Sequence, residues 1–177
     1  RAPGKTFWQS VWWDIAERTA ELIVRTLWTL RVEGSHRVPR TGPVILVSNH
    51  QSYLDPVVNG VAARDRQVGY LAKTELFRFG PFGRLIASFG AIPLKERSDM
   101  AAMRAAIAEL QAGRCIVIYP EGGRSPDGTI QPFQRGVALI VRRTRVPVVP
   151  MALDGCFRAW PPNRGMPMPR GRIGRAH

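Results

Sequence analysis

"GPVILVSNHQSYLDPVVNGVAAR", residues 42–64, decides the fold class. GPVILV is apolar and branched without alternation, the mark of a strand buried on both faces. PVVNGVAAR opens with proline, which suits the first turn of a helix. The turn between them carries His50 and Asp55. In a continuous helix, residues five apart diverge by about 140°. In a strand they lie on opposite faces. Only a turn leading into a helix brings His50 and Asp55 together. A carboxylate on one imidazole nitrogen fixes the tautomer and supports the charge that develops when the other nitrogen takes a proton. The pair is therefore a candidate general base acting on a substrate that brings its own hydroxyl. A structural reading competes: Asp55 as N-cap, Pro56 as first helical residue, and His50 bonded within the turn.

The pattern repeats outward from this stretch. Strands are expected at Val44–Val47, Val68–Ala72, Ala91–Leu94, Cys115–Tyr119 and Val146–Leu153. Helices are expected at Pro56–Arg64, Pro81–Ser88, Asp99–Ala112 and Phe133–Arg143. For Asp99–Ala112, Ser98 serves as N-cap and Gly113 as the stop. Alternating strands and helices predict an α/β domain with a largely parallel central sheet, whose ligands gather at the carboxyl ends of the strands. The organisation expected is an N-terminal amphipathic helix and linker over 1–37, a core over 38–155, and an irregular, loosely attached basic tail over 156–177.

The chain has 177 residues, with 26 Lys+Arg against 13 Asp+Glu, a formal charge of +13. That excess implies an anionic partner: nucleic acid, an acidic membrane surface or a phosphorylated substrate. No recognition-helix, zinc or aromatic-basic strand motif accompanies it, so no nucleic-acid partner is expected. The two cysteines, Cys115 and Cys156, lack metal spacing, and no metal site is expected. Cys115 in CIVIY reads as a reduced core residue, which points to a cytoplasmic setting. The first residue is Arg1 rather than Met, so the N-terminus is read as processed, trimmed or incomplete.

FWQSVWWDIAERTAELIVRTLWTL repeats apolar residues at helical steps and holds four of the five tryptophans, Trp8, Trp12, Trp13 and Trp28. Trp favours the headgroup zone. The charges Asp14, Glu17, Arg18, Glu21 and Arg25 argue for a helix lying on a membrane rather than crossing it. The alternative is packing on the protein's own core.

CIVIYPEGGRSPDG repeats the strand-then-turn layout. Gly122 and Gly123 permit close backbone approach to a ligand, and Arg124 offers a planar fork suited to phosphate.

Taken together, these segments resemble the glycerolipid acyltransferases with the His-x4-Asp motif, which include the 1-acylglycerol-3-phosphate acyltransferases. NHQSYLD is similar to that family's first block and YPEGGRS to its third, usually written F-P-E-G-T-R-S. AKTELF, GAIPLKER and VPVVPMAL resemble three further segments, in order, between about Val38 and Leu153. The resemblance implies that His50 deprotonates an acceptor hydroxyl, which attacks an acyl thioester, and that Asp55 orients His50. It implies that Glu121, Gly122, Gly123 and Arg124, with Arg97 and Lys73, hold the acceptor's phosphate end. It implies that Pro147 and Pro150 shape the wall near the thioester. Gly123 replaces the family's usual Thr, Arg97 falls one residue late so that Lys95 competes for its role, and the chain stops where the family continues into another strand.

The expected activity is acyl transfer from acyl-CoA or acyl-carrier protein to lysophosphatidic acid, giving phosphatidic acid, with no permanently bound cofactor. The alternative is the same chemistry on a lysophospholipid, glycerol 3-phosphate or a lyso-ornithine lipid. The expected location is peripheral or monotopic, on an anionic membrane at its cytoplasmic face.

Overall fold

A computed structural model describes residues 6–63, 66–78, 80–88, 90–94, 99–169 and 172–174. The elements run α1 (Phe7–Leu27), β1 (Thr29–Arg31), β2 (Val44–Ser48), α2 (Asp55–Ala62), β3 (Val68–Lys73), α3 (Gly80–Ser88), β4 (Ala91–Leu94), α4 (Asp99–Gln111), β5 (Cys115–Ile118), α5 (Gly136–Thr144), β6 (Val148–Met151), α6 (Cys156–Ala159) and β7 (Arg172–Gly174). Five strands form one sheet in the order β4-β3-β5-β2-β6, and every pairing within it is parallel. The expected α/β architecture is the observed one.

The continuous apolar strands follow from burial on both faces. Val44 and Leu46 pack with Ala62 and Ala63 at the end of α2. Ile45 points the other way, toward Ala106 and Leu110 of α4 and Ile140 of α5. The connections leaving the adjacent strands β2 and β5 thus part to opposite faces of the sheet. That divergence opens the crevice where parallel sheets bind ligands. The turn after β2 holds His50, and the turn after β5 holds Glu121 to Ser125.

Two ends of the chain depart from the sequence reading. The segment 156–177 is not irregular throughout. Cys156–Ala159 is a helical turn, and β7 pairs in parallel with β1, placing Ile173 beside Leu30. Ile173 is 1% exposed, and the Trp28 indole N–H donates to Met168 O at 2.7 Å. A three-residue strand flanked by Gly and Arg carries almost no local signal; its partner, Leu30, creates it. In α1, the core reading holds for some of the tryptophans, while others are exposed. Trp13 and Val24 are buried and Trp28 just beyond the helix is 3% exposed, while Trp8, Trp12, Ile15, Leu22 and Ile23 are exposed. At 100° per residue those five exposed positions share an arc of about 100°. Thr19 and Thr26 lie on the same side, and their hydroxyls donate back to Ile15 O and Leu22 O, leaving little polarity facing outward. No helix among the described residues is long and apolar enough to cross a membrane.

Candidate active site

The turn after β2 is built by side chains that imitate backbone. Asn49 Nδ2 donates to Leu153 O at 2.9 Å, and Leu153 N–H donates to Asn49 Oδ1 at 2.7 Å. This pair extends the β2–β6 ladder one rung past Ser48↔Met151. Gln51 Nε2 donates to the same Leu153 carbonyl. With the turn tied down, Asp55 starts α2 and sends its carboxylate backward. Its Oδ2 accepts from Gln51 N–H at 2.6 Å and Ser52 N–H at 2.7 Å, and meets His50 Nδ1 at 2.8 Å. The N-cap position belongs to Leu54, with no side-chain cap bond. The capping account of Asp55 is therefore corrected: its oxygen serves the turn and the imidazole, not the helix. Asp55 is fully buried, whereas the His50 side chain is 18% exposed. No described residue hydrogen-bonds His50 Nε2, so the basic edge of the ring is left for a ligand.

The turn after β5 locks against the first. Glu121, 8% exposed, accepts His50 N–H at 2.7 Å on Oε1 and Gln131 N–H at 2.8 Å on Oε2. Ser125 N–H donates to His50 O at 2.7 Å, and Ser125 Oγ closes the SPDG turn through Asp127 and Gly128. Gly122 sits at φ +73, a conformation that strains an L side chain, and a Cβ there would press on the Gln134 side-chain amide, so glycine suits the position. Gly123 faces open space, which leaves room for the Thr of the related motif. The Glu121 carboxylate, expected on the phosphate, is committed to two backbone donors instead. A buried anion so placed fastens the turns and would repel a phosphate at close range.

Above this floor, the Arg124 guanidinium lies 3.8 Å from the centroid of the Tyr53 ring, and Tyr53 leans on Trp160 at 5.2 Å. Among the described residues, the backbone N–H groups of Gly123 and Arg124 have no protein acceptor. An exposed guanidinium and two uncommitted N–H groups are donors of the kind that suit an anion. Lys73 ends β3, paired with Leu94, on the same edge of the sheet. Arg97, Lys95 and Ser98 lie outside the described residues. Pro147 stands at the amino end of β6, where its carbonyl accepts Ile45 N–H, away from the rim; Pro150 pairs with Val47 on this edge strand.

Three contributors escaped the sequence reading: Tyr53, Asn49 and Tyr119. The Tyr119 ring stacks on the His50 imidazole with centroids 3.9 Å apart and planes 17° apart. Its only local signal is an aromatic residue ending a strand. Cys156 is fully buried, and burial first, then the Asp55 carboxylate, push its thiol well above the ordinary value. Among the described residues no group of three or more His, Cys, Asp or Glu could hold a metal. Two small hollows, one beside Arg37 and Pro150 and one between Gln67 and Arg114, do not include the dyad.

A family model described as Acyltransferase matches residues 29–154. The chain is 30% identical over 151 residues to the chloroplastic 1-acyl-sn-glycerol-3-phosphate acyltransferase BAT2 of Brassica napus, covering 83% of this chain and 43% of that protein. It is 33% identical over 139 residues to 1-acyl-sn-glycerol-3-phosphate acyltransferase alpha of Mus musculus, covering 75% and 48%. It thus spans less than half the length of these two relatives. The crystal structure of the 1-acyl-sn-glycerophosphate (LPA) acyltransferase PlsC from Thermotoga maritima superposes with a TM-score of 0.80 at 27% identity, over 93% of this chain and 67% of that one. The matched span contains both turns, the five-stranded sheet that presents them and the His50–Asp55 contact, and on that ground the chain belongs to the acyltransferase family.

Proposed function

We propose that the protein transfers a fatty acyl group from a thioester, acyl-CoA or acyl-carrier protein, to the free hydroxyl of 1-acylglycerol 3-phosphate, giving phosphatidic acid. The observation that carries the reading is the 2.8 Å contact between His50 Nδ1 and the buried Asp55 Oδ2, with Nε2 left open. Nε2 takes the proton of the acceptor hydroxyl as its oxygen attacks the thioester carbonyl. The tetrahedral oxyanion collapses, the C–S bond breaks, and the departing thiolate takes the proton back from Nε2. Asp55 stays anionic throughout and supports the transient imidazolium. Arg124 and the N–H groups of Gly123 and Arg124 hold the acceptor's phosphate, while Glu121 keeps the two turns together. The substrate in the relatives' names, an acylglycerol phosphate, has the anionic group that this rim suits.

The acceptor and product are lipids, and α1 offers a place to meet them. Its exposed stripe of Trp8, Trp12, Ile15, Leu22 and Ile23 fits the interfacial zone of a bilayer, making the protein a peripheral membrane enzyme. The test is purified protein with acyl-CoA or acyl-carrier protein and a panel of acceptors, followed by product identification. Phosphatidic acid should form from lysophosphatidic acid much faster than any product from a phosphate-free lyso-acceptor. Equal or better use of the phosphate-free acceptor would overturn the acceptor assignment, and no transfer to any acceptor would overturn the activity.

A further inference from the structure

We propose that Tyr119 is a positioning residue for the general base, setting the plane of the His50 imidazole and lying beneath it when it becomes charged. The inference rests on the reading of His50 as the base. The two rings are stacked at 3.9 Å and within 17° of parallel. The phenol is itself held in place. Its hydroxyl accepts from Asn59 Nδ2 at 3.2 Å, and Asn59 Oδ1 accepts from Ser48 Oγ at 3.3 Å. Asn59 and Ser48 are both buried. Asn59 lies on α2, which begins with Asp55, and Ser48 ends β2, which leads into His50. The elements that carry the dyad therefore also aim the ring that supports it.

One hydrogen bond at Nδ1 leaves an imidazole free to tip about that contact. Stacking against a fixed plane removes the tipping and directs Nε2. Burial first, with the Asp55 charge behind it, holds the Tyr119 phenol well above its ordinary value, so Tyr119 stays neutral and exchanges no proton itself. Among the described residues, the charged and titratable groups in contact with His50 are Asp55 from α2 and Tyr119 and Glu121 from the turn after β5. Of these, Tyr119 alone offers the imidazole a π face. A cation over an aromatic face is attracted more strongly than a neutral ring, so the extra gain belongs to the transition state.

The test compares Tyr119→Phe, which keeps the face and loses the Asn59 bond, with Tyr119→Leu and Tyr119→Met, which fill space without a face. Tyr119→Phe should keep kcat within about threefold of the parent, while Leu and Met should lower it by roughly 3–30-fold with both KM values unchanged. Met is unbranched and flexible, so it keeps the comparison alive where Leu fails to fold. Leu and Met variants that turn over as fast as Phe would overturn the proposal. So would a loss confined to KM, or three variants whose kcat follows their thermal midpoints. His50→Ala separates the two layers. Activity retained there removes the base and this proposal with it; activity lost there, with Tyr119→Leu and Tyr119→Met unimpaired, removes the positioning role alone.

Discussion

Asp55→Asn separates the charge of the carboxylate from its geometry. Three donors converge on Oδ2: the N–H groups of Gln51 and Ser52 and the edge of His50 at Nδ1. An amide placed there must turn its oxygen toward the two backbone donors, because its NH2 would face them donor to donor. The His50 Nδ1–H can then still donate to that oxygen, and the tautomer is preserved. What is lost is the negative charge opposite the imidazolium. At about 4 Å between charge centres and an effective dielectric near 20, that charge is worth about 4 kcal/mol, or roughly 10³ in rate. Three charge-assisted bonds become neutral ones, which costs about 1–3 kcal/mol of stability. The assay is thiol release from acyl-CoA coupled to a thiol reagent, with thermal unfolding run in parallel. The expected variant folds, unfolds a few degrees lower, and turns over about a thousandfold more slowly with its acceptor KM little changed. A folded Asp55→Asn protein retaining more than about a tenth of parental kcat would refute the dyad.

Arg124→Ala should raise the KM for lysophosphatidic acid by about tenfold to a hundredfold and leave the thioester KM alone, since one charge-assisted contact to phosphate is removed; parallel shifts of both would refute it. Replacing Trp8 and Trp12 together by Ser should weaken flotation with anionic vesicles by at least about tenfold without lowering the thermal midpoint, as each ring lost removes about 1.5–3 kcal/mol of burial. Trp28→Ala should instead lower the midpoint, because that indole is buried and bonded to Met168. Burial pushes the Cys115 thiol from its ordinary 9.0 up to about 12. The native protein should therefore resist iodoacetamide at mildly alkaline pH and be labelled only on unfolding. The neutral thiol is the folded form, so the contribution of Cys115 to stability is whole below pH 9.0 and fades as pH rises toward about 12; midpoints measured across that range check the sign.

The sheet was legible because its evidence is local. Apolar runs such as VILV and CIVI mark strands buried on both faces, and the Ala-rich stretch from Asp99 announces a helix. The contact between His50 and Asp55 was legible for a related reason: their spacing closes only across a turn entering a helix. Other features depend on what tertiary folding delivers. Glu121 is read from two backbone N–H groups, one of them 71 positions away. Tyr119 meets His50 only because β2 and β5 are neighbours in the sheet. β7 exists because Leu30 and Trp28 await it. Within α1, periodicity marked an apolar helix but not which side the body of the protein would cover, and the tryptophans divide between the two.

The β1–β7 pairing also sets an order of events. Trp28 and Met168, bonded across this clamp, are 140 residues apart in the chain. Such a contact carries one of the largest loop-closure costs in the fold and is rewarded only after the intervening sheet exists. On a ribosome, the α1 segment emerges well before the strand that fastens it. Until that strand arrives, Trp28 lacks the cover that Ile173 and Met168 later give it and is free to meet lipid beside the nascent helix. We predict that stalled chains ending before Arg172 associate with vesicles more strongly than the full 177-residue chain, through Trp28 as well as Trp8 and Trp12. Equal association of stalled and finished chains would show that the helix docks without waiting for the clamp. Stronger association of the stalled chains would make the strand that closes the fold a timer, one that leaves α1 with a single exposed apolar side.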